Sequence, residues 1–273
     1  MQELRGKVAV ITGGASGIGY AVASRAAEAG MRVVLADIDA SALERAEKEL
    51  SDGGAEVAGV VVDVTNAESV TALAARAYER FGSVNLLVNN AGVASVHAAW
   101  DGPLEEWSRV LGVNLFGVVH GVRAFVPRMI ASGEPGHVVN LASAAGLVST
   151  PGLAAYCASK SGVVALSEAL HHDLRARRAS IGVSVVCPSW VKTRIARRPV
   201  DDAPIDAPTE KIRAAIFHAV EEGIPALDVA ATILDAVRDD RFYVITHEPT
   251  KAGFAVRAKD ILEGRPPTLF SVG

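Results

Sequence analysis

A tyrosine and a lysine four positions apart, Tyr156 and Lys160, have the types and spacing that most directly indicate chemistry in this chain. In a helix, residues at positions i and i+4 lie on the same side. A lysine ammonium beside a phenol favours the phenolate, so we expect the pKa of Tyr156 to fall from about 10 towards neutrality. Tyrosine then becomes a usable general acid or base. Taken alone, such a pair is usually a surface pair, but Ser143 precedes Tyr156 by 13 residues at the end of an apolar run.

A glycine-rich turn near the amino end forms a second candidate site. It follows the apolar run Val8–Ile11 and precedes a predicted helix. Its glycines permit a tight turn, close approach of the backbone to a pyrophosphate, and close packing of the helix, whose first N–H groups point at the negative charge. An ordinary turn is the alternative. The residues predicted to contact a dinucleotide here are Gly13, Ser16, Gly17, Ile18 and Gly19.

An aspartate, Asp37, ends the second predicted strand 24 positions after Gly13. A carboxylate at this place can accept both ribose hydroxyls of an adenosine, and it repels a 2′-phosphate. The turn contains no Arg or Lys, and the residue after Asp37 is Ile38. The sequence therefore favours NAD over NADP. The alternative is that Asp37 only caps a helix beginning near Ala40.

Short β-branched runs alternate with alanine-rich amphipathic segments along most of the chain. The predicted strands are Val8–Thr12, Arg32–Ala36, Glu56–Val62, Val84–Val88, His137–Leu141, Gly182–Val186 and Phe242–Thr246. The predicted helices are Gly19–Ala29, Ala40–Leu50, Ser69–Phe81, Leu104–Ile130, Ala155–Arg177 and Asp228–Asp239. Strands that are apolar throughout are typical of a parallel sheet buried on both faces. The alternation predicts an α/β fold: a single doubly wound Rossmann-type domain with a seven-stranded, mostly parallel sheet flanked by helices.

Two segments do not follow this alternation. Residues 188–225 contain five prolines and no strand pattern, so we predict an irregular substrate-binding loop within the domain. Residues 247–273 form a C-terminal tail with a helical stretch around Lys251–Leu262.

Composition excludes several classes of protein. The chain has 27 basic and 31 acidic residues, a balance that argues against nucleic acid as a partner. Two cysteines, Cys157 and Cys187, cannot build a disulfide framework, and the apolar stretch near the start is too short for a signal peptide. We therefore expect a cytoplasmic protein. Residues 138–159 carry no charge, but Pro151 and several polar residues disfavour a membrane helix, and the seven histidines lack metal-ligand spacing.

Taken together, the motifs resemble those of the short-chain dehydrogenase/reductase family. The resemblance covers about residues 5–246, and the motifs stand in the family's order. They are Thr12–Gly19, Asp63-Val64, Asn89–Gly92, Asn114, Ser143, Tyr156–Lys160 and Pro188–Thr193.

The resemblance implies a nicotinamide-dependent oxidoreductase with four catalytic residues. Tyr156 matches the base that takes the alcohol proton in oxidation or returns it in reduction. Lys160 matches the residue that depresses the tyrosine pKa and holds the nicotinamide ribose. Ser143 matches the hydroxyl that fixes the substrate oxygen, and Asn114 matches a helix asparagine whose backbone holds a water in a proton relay.

The resemblance also implies further contacts to the cofactor, from adenine to nicotinamide. The matching residues are Asp63, Val64, Asn90, Ala91, Gly92, Pro188, Val191 and Thr193. The first two match the adenine-binding pair, the next three match the segment beside the adenosine ribose, and the last two match residues that hold the carboxamide. The family further implies a homotetramer, built partly through the long helices Leu104–Ile130 and Ala155–Arg177.

The sequence departs from the family at two places. Pro188 is followed by Ser189 where the family usually has glycine, which bears on substrate size. The chain also lacks the Asp-Gly-Gly turn that ends many members, and has Phe242–Pro249 and the tail instead.

Apolar side chains in the predicted loop and after Gly92 predict a bulky, mostly hydrophobic secondary alcohol or ketone, of a cyclic, steroid-like or terpenoid-like kind. They are Val93, Val96, Trp100, Trp190, Ile195, Ile205, Ile212, Ile216, Phe217 and Val220. Nearby arginines leave room for a substrate carboxylate; they are Arg194, Arg197 and Arg198.

Three other functions compete with this prediction. A non-catalytic dinucleotide-binding regulator on the same fold is the main alternative, although such a protein need not keep all four catalytic residues. An epimerase or dehydratase is disfavoured because such relatives are usually longer and carry a separate substrate domain. An enoyl reductase is disfavoured because those relatives usually space the tyrosine and lysine more widely.

Overall fold

Seven parallel strands form the central sheet of the computed structural model, which describes residues 1–196 and 205–269. Their order across the sheet is β3-β2-β1-β4-β5-β6-β7, and each neighbouring pair is parallel. The strands are β1 (Val8–Thr12), β2 (Arg32–Asp37), β3 (Val57–Val61), β4 (Leu86–Asn89), β5 (Gly136–Leu141), β6 (Ile181–Cys187) and β7 (Tyr243–Ile245). The predicted doubly wound α/β fold is confirmed.

Helices cover both faces of this sheet. They are α1 (Gly17–Glu28), α2 (Ala40–Asp52), α3 (Ala67–Phe81), α4 (Leu104–Leu111), α5 (Gly117–Ser132), α6 (Ala154–Ala176), α7 (Ala207–Glu221), α8 (Ala226–Asp239) and α9 (Glu248–Leu262). Successive side chains of a strand point to opposite faces. In β1, Ala9 and Ile11 therefore join a core with α1, α2 and α8, whereas Val8 and Val10 join a core with α3, α5 and α6.

The chain order reverses between β1 and β4, where the two halves of the sheet meet. In such folds a crevice forms outside the carboxyl ends of the strands at this point, because the connections leave in opposite directions. The loops that follow β1, β2, β4, β5 and β6 consequently approach one another at the same edge.

The prediction of an irregular segment over residues 188–225 is wrong for part of that range, because α7 lies within it. Asp206 caps α7 by accepting a hydrogen bond from the Thr209 N–H at 2.8 Å. Pro208 lies in the first turn, where its missing N–H costs nothing. Only Thr209 and Val220 of this helix are buried, so most of α7 does not pack into the core. The predicted loop also includes residues 197–204, which lie outside the described residues.

The predicted continuous helix over Leu104–Ile130 is interrupted by a π-helical turn, Gly112–Phe116, between α4 and α5. Among the described residues, one helical stretch, Leu104–Ser132, is long and apolar enough to cross a membrane on length and composition alone. Its residues Phe125 and Met129 are buried in the core beneath the sheet. The uncharged segment 138–159 forms most of β5, a short turn and the start of α6, not a single helix.

Candidate active site

A cleft of about 930 Å³ lies at the carboxyl edge of the sheet, over the point where the chain order reverses. Every residue predicted to contact the cofactor lines this cleft except Gly19, and Ser143, Tyr156 and Lys160 line it too. Asn114 is fully buried beside it. The tertiary structure thus brings together residues that are up to 180 positions apart, from Gly13 to Thr193.

The glycine-rich turn packs so closely against neighbouring backbone that Gly13 and Gly19 have no space for a side chain. Gly13 has a positive φ of 62°, and a Cβ there would lie 2.9 Å from the Cα of Ala91. A Cβ on Gly19 would lie 2.1 Å from the carbonyl oxygen of Gly13, so this residue allows α1 to pack closely. Within the described chain, α1 has no acidic residue in its first turn, and Ser16 makes no side-chain capping bond. The helix N-terminus can therefore receive an anion.

Asp37 lies in the cleft at the end of β2, with its carboxylate held by the backbone. One oxygen accepts a hydrogen bond from the Ala15 N–H at 3.0 Å, and the other accepts from the Asp39 N–H at 3.1 Å. Asp39, not Asp37, caps α2, because its carboxylate accepts from the Ala42 N–H. The alternative that Asp37 caps this helix is therefore wrong. Its position beside the turn fits the ribose of a dinucleotide.

The buried Thr12, which begins the motif Thr12–Gly19 but received no role from the sequence, joins the two halves of the sheet. The Thr12 hydroxyl oxygen accepts hydrogen bonds from the N–H groups of Asn90 and Ala91, at 3.0 and 3.1 Å. The Asn90 side chain donates in return to the carbonyls of Thr12 and Gly13, at 2.8 and 3.1 Å. These bonds fix the segment after β4 against the turn after β1. The only signal in the sequence was a hydroxyl residue at the end of an apolar strand.

Two predicted adenine contacts follow β3. The Asp63 carboxylate folds back on its own turn, accepting hydrogen bonds from the backbone and hydroxyl of Thr65 at 2.9 and 2.7 Å. The carbonyl of Val64 lies 2.8 Å from Nδ1 of His120 on α5. Both residues line the end of the cleft next to Asp37 and Ile38.

Asn114 lies in the π-helical turn, where the Gly117 N–H donates to the carbonyl of Gly112, five residues back. Such turns are frequent at functional sites. The Asn114 side chain accepts from the Val93 N–H at 2.8 Å and donates to the Val93 carbonyl at 2.9 Å and to the Ser159 hydroxyl at 3.0 Å. The side chain therefore ties the segment after β4 to α6, and leaves any role in a proton relay to the backbone.

Ser143, Tyr156 and Lys160 converge on the floor of the cleft from β5 and α6. The Ser143 hydroxyl is close enough to the Tyr156 phenol to oppose the rise in its pKa, and it donates to the carbonyl of Pro188 at 3.4 Å. Lys160 is buried, and its Nζ donates to the carbonyl of Leu141 at 2.7 Å. The same Nζ lies 5.7 Å from the centre of the Tyr156 ring. A hydroxyl pair with a cation beneath it therefore faces the cleft.

Burial has the largest effect on the pKa values of Tyr156 and Lys160. It raises the pKa of Tyr156 to about 12, and the Ser143 hydroxyl acts in the opposite direction. It lowers the pKa of Lys160 to about 8. The prediction that Lys160 lowers the pKa of Tyr156 is therefore wrong for the protein alone, because the ammonium is directed to a backbone carbonyl and desolvation of the phenolate outweighs it.

The family model described as short chain dehydrogenase matches residues 7–203 of this chain. The chain belongs to the short-chain dehydrogenase/reductase family. It is 34% identical to a CLA biosynthesis dehydrogenase/reductase of Lactiplantibacillus plantarum, over 98% of this chain and 97% of that one. It is 37% identical to a 1-deoxy-11-beta-hydroxypentalenate dehydrogenase of Streptomyces avermitilis, over 95% and 91%.

A crystal structure of a short-chain dehydrogenase/reductase from Burkholderia phymatum in complex with NAD is also similar. It shares 44% sequence identity, covers 98% of this chain and 99% of that one, and superimposes with a TM-score of 0.95. Our protein is thus an oxidoreductase of a family that binds nicotinamide dinucleotides and acts on small molecules.

Apolar side chains line much of the other end of the cleft. Six of the ten apolar side chains singled out from the sequence line it: Val93, Val96, Trp190, Ile195, Ile216 and Val220. The other four do not: Trp100, Ile205, Ile212 and Phe217. Arg194 also lines the cleft, whereas Arg197 and Arg198 lie outside the described residues.

Polar residues that sequence reasoning missed line the same end of the cleft. Arg109 on α4 forms a two-point ion pair with Glu106, at 2.8 and 2.7 Å, which holds the pKa of the Glu106 carboxyl below its usual range. The same guanidinium donates to the carbonyl of Ala94 at 3.2 Å, and Arg213 on α7 donates to the carbonyl of Val96 at 3.3 Å. No short motif marks these residues, since their contacts span unrelated segments.

Proposed function

We propose that this protein is an NAD-dependent dehydrogenase that interconverts a bulky, mostly apolar secondary alcohol and the matching ketone. The observation that carries the proposal is the contact between the hydroxyls of Ser143 and Tyr156 on the cleft floor, with Lys160 beneath the ring. This pair faces the same cleft as the glycine-rich turn and Asp37. An oxygen atom of a substrate can meet both hydroxyls there while a dinucleotide occupies the rest of the cleft.

When bound, the nicotinamide ring supplies or accepts hydride at its C4 atom. The protein's own residues handle the proton. Tyr156 Oη gives a proton to the ketone oxygen in reduction and takes it from the alcohol in oxidation, while the Ser143 hydroxyl holds that oxygen in place. Since burial raises the pKa of Tyr156 to about 12, the phenol of the unliganded protein is protonated at neutral pH, which favours reduction. The rate of alcohol oxidation should increase as the pH rises, because more of Tyr156 is then deprotonated and can accept the proton.

The choice of NAD over NADP rests on Asp37. Its carboxylate is positioned by two backbone N–H groups at the end of β2, and a 2′-phosphate placed there would meet a like charge. Within the described residues that line this end of the cleft, next to Asp37, Ile38, Asp63 and Val64, there is no Arg or Lys side chain. The similar Burkholderia phymatum protein was crystallised with NAD.

The substrate class rests on the six apolar residues of the other end of the cleft. Apolar side chains in a cleft favour a ligand that is apolar where it meets them. One similar protein is named for a hydroxypentalenate, which agrees with a cyclic, terpenoid-like substrate. Arg194 lines the same end and offers a charge partner to a substrate carboxylate.

We also propose a homotetramer. Two large apolar side chains are exposed at and beside α4: Leu104 at the start of α4 is 77% exposed, and Phe116 in the π-helical turn is 52% exposed. An exposed apolar helix face is typical of a surface that packs against another subunit. Light scattering of the purified protein should give four times the mass of the chain, and a monomer mass would contradict this proposal.

The test of function is a dehydrogenase assay on purified protein. NADH is followed by fluorescence with NAD and secondary alcohols graded from alkyl to polycyclic, and the series is repeated with NADP. We expect turnover with NAD that increases with the apolar size of the alcohol. Activity restricted to small polar hydroxy acids would contradict the substrate class. Tight NAD binding without turnover of any alcohol, or of the matching ketones with NADH, would favour the non-catalytic regulator.

A further inference from the structure

His247, two residues after the end of β7, contacts the loop that follows β6. Nδ1 of His247 accepts a hydrogen bond from the Ser189 N–H at 3.2 Å, and the Thr246 hydroxyl lies 2.7 Å from the same nitrogen. The backbone of Trp190 also interacts with the ring and raises its pKa, but burial, which lowers the pKa, has the larger effect. Ser189 and Trp190 both line the cleft. His247 therefore holds a wall of the cleft from behind.

The direction of the hydrogen bond between Ser189 and His247 determines the protonation state of the imidazole ring. A backbone N–H can only donate, so Nδ1 of His247 carries no proton and the ring is neutral. Burial lowers the pKa of His247, which agrees with a neutral ring. His247 thus acts as a hydrogen-bond acceptor, a role that a side-chain amide oxygen can reproduce.

The tail that carries His247 is anchored to the site at a second point. Arg257 on α9 donates to the carbonyl of Leu147 at 2.9 Å. Leu147 ends the short 3-10 turn, Ala144–Gly146, that follows Ser143. Arg257 joins α9 to the loop after β5, and His247, which precedes α9, is joined to the loop after β6. A shift of α9 would therefore move these two loops or break these bonds.

The loop after β6 has other anchors on its other sides. The Pro188 carbonyl accepts from the Ala144 N–H at 2.8 Å, and the Trp190 carbonyl accepts from the Ile224 N–H at 3.1 Å. Ser189 lies between these two points, and its N–H is held by the tail. The bond that the Ser189 N–H donates to His247 consequently fixes the part of the loop between the catalytic hydroxyls and the start of α8.

We propose that His247 is a positioning residue, which sets the place of Ser189 and Trp190 against the substrate through its Nδ1. The inference rests on the proposed function, because it assigns the wall formed by these two residues to substrate binding. It also concerns a segment that departs from the usual end of the family's chains.

The test compares three variants of the full chain. His247→Ala removes the acceptor, His247→Asn places an amide oxygen near the position of Nδ1, and Thr250→Val is the control. Thr250 lies buried at the start of α9, and among the described residues its hydroxyl has no hydrogen-bond partner. We expect His247→Ala to raise the KM of the best alcohol by about fivefold, as for one lost hydrogen bond, with kcat changed much less. His247→Asn should restore most of the KM, and Thr250→Val should leave it unchanged.

Amide hydrogen exchange of the unliganded proteins supplies a readout without turnover. The Ser189 amide should exchange at least several times faster in His247→Ala than in the original protein, and His247→Asn should restore its protection. Unchanged exchange or unchanged KM in His247→Ala would overturn the inference. So would a His247→Asn variant that behaves like His247→Ala, since packing of the ring would then explain the effect.

The two proposals can fail separately. If the original protein turns over no alcohol or ketone, the proposed function fails, whereas exchange at Ser189 still shows whether His247 holds the loop. If His247→Ala does not fold, His247→Asn is compared with His247→Gln, whose amide lies near the position of Nε2 instead. Equal KM and equal Ser189 exchange in these two variants would then overturn the inference.

Discussion

The two ends of the cleft are built differently. The dinucleotide end is assembled from the ends of neighbouring strands, and residues such as Thr12 and Asn90 bond one another directly across the switch point. The substrate end is assembled from loops and helices distant in sequence, through bonds such as Arg213 to Val96 and Arg257 to Leu147. The first end can therefore bind a constant ligand, whereas the second can change with the substrate without disturbing the sheet.

Tyr156→Phe removes the proton-transfer group where the two ends meet, and we expect the largest effect there. The phenylalanine ring fills the same space, so kcat/KM should fall by about 10² to 10⁴-fold while NAD affinity stays within about a factor of two. Steady-state kinetics and an NAD titration measure both. Tyr243→Phe is the control, since that hydroxyl bonds Glu168 on the surface. A loss of NAD binding as large as the loss of rate would show that the two ends are not separable.

Asp37→Ala tests the dinucleotide end alone. Loss of hydrogen bonds to a charged carboxylate should reduce the preference for NAD over NADP by about 10 to 100-fold. The ratio of kcat/KM values for the two cofactors measures it. Asp39→Ala is a matched control, because Asp39 caps α2: it should lower the melting temperature and leave cofactor preference unchanged. An unchanged preference in Asp37→Ala would remove this residue from cofactor selection.

His137 lies at the opposite edge of the sheet from the cleft. It therefore tests the stability of the fold without touching the active site. It is fully buried, with Nε2 2.8 Å from the Ser184 hydroxyl, and burial lowers its pKa to about 3. The unfolded chain takes up this proton near pH 6.5, so the stability contributed by the neutral ring is complete above pH 6.5 and is lost as the pH falls towards 3.

Between pH 7 and pH 5 we expect a loss of about 2 kcal/mol in the free energy of unfolding from this group, or about 10-fold in the folding equilibrium per pH unit below 6.5. Urea unfolding at both pH values measures it. His137→Gln keeps a donor to Ser184 without titrating, so its stability should change less over this interval. Equal pH dependence in both proteins would contradict the assignment to His137.

Ile216→Ala tests the substrate end alone and should have the smallest effect. Ile216 lines the cleft, whereas its neighbour Phe217 does not. Removing part of one apolar side chain should raise the KM of a bulky alcohol by about 3 to 10-fold and leave NAD affinity unchanged. Phe217→Ala is the matched control on the same helix. A change in NAD affinity in Ile216→Ala would show that the two ends of the cleft are coupled.

Much of the framework could be predicted from local patterns. Every predicted strand is present, and every predicted helix is present except that Leu104–Ile130 is interrupted by a π-helical turn, because apolar periodicity is a local signal of secondary structure. α7 was missed because the five prolines of residues 188–225 were interpreted as breaks, although Pro208 lies in the first turn of the helix. The π-helical turn around Asn114 was missed because no local residue type distinguishes it from an ordinary helix.

The residue types and their spacing alone identified the glycine-rich turn, Asp37 and the Tyr156–Lys160 pair, because backbone conformation, charge and helical repeat are local properties. The tertiary structure decided the protonation of that pair. Lys160 reaches the carbonyl of Leu141 and Tyr156 is desolvated by its surroundings, and neither effect can be read from a spacing of four. It also decided that Thr12 joins the two halves of the sheet and that His247 contacts Ser189 across 58 positions. Hydrogen bonds and burial between distant segments depend on where the whole chain places them, so they exist only once the sheet is assembled.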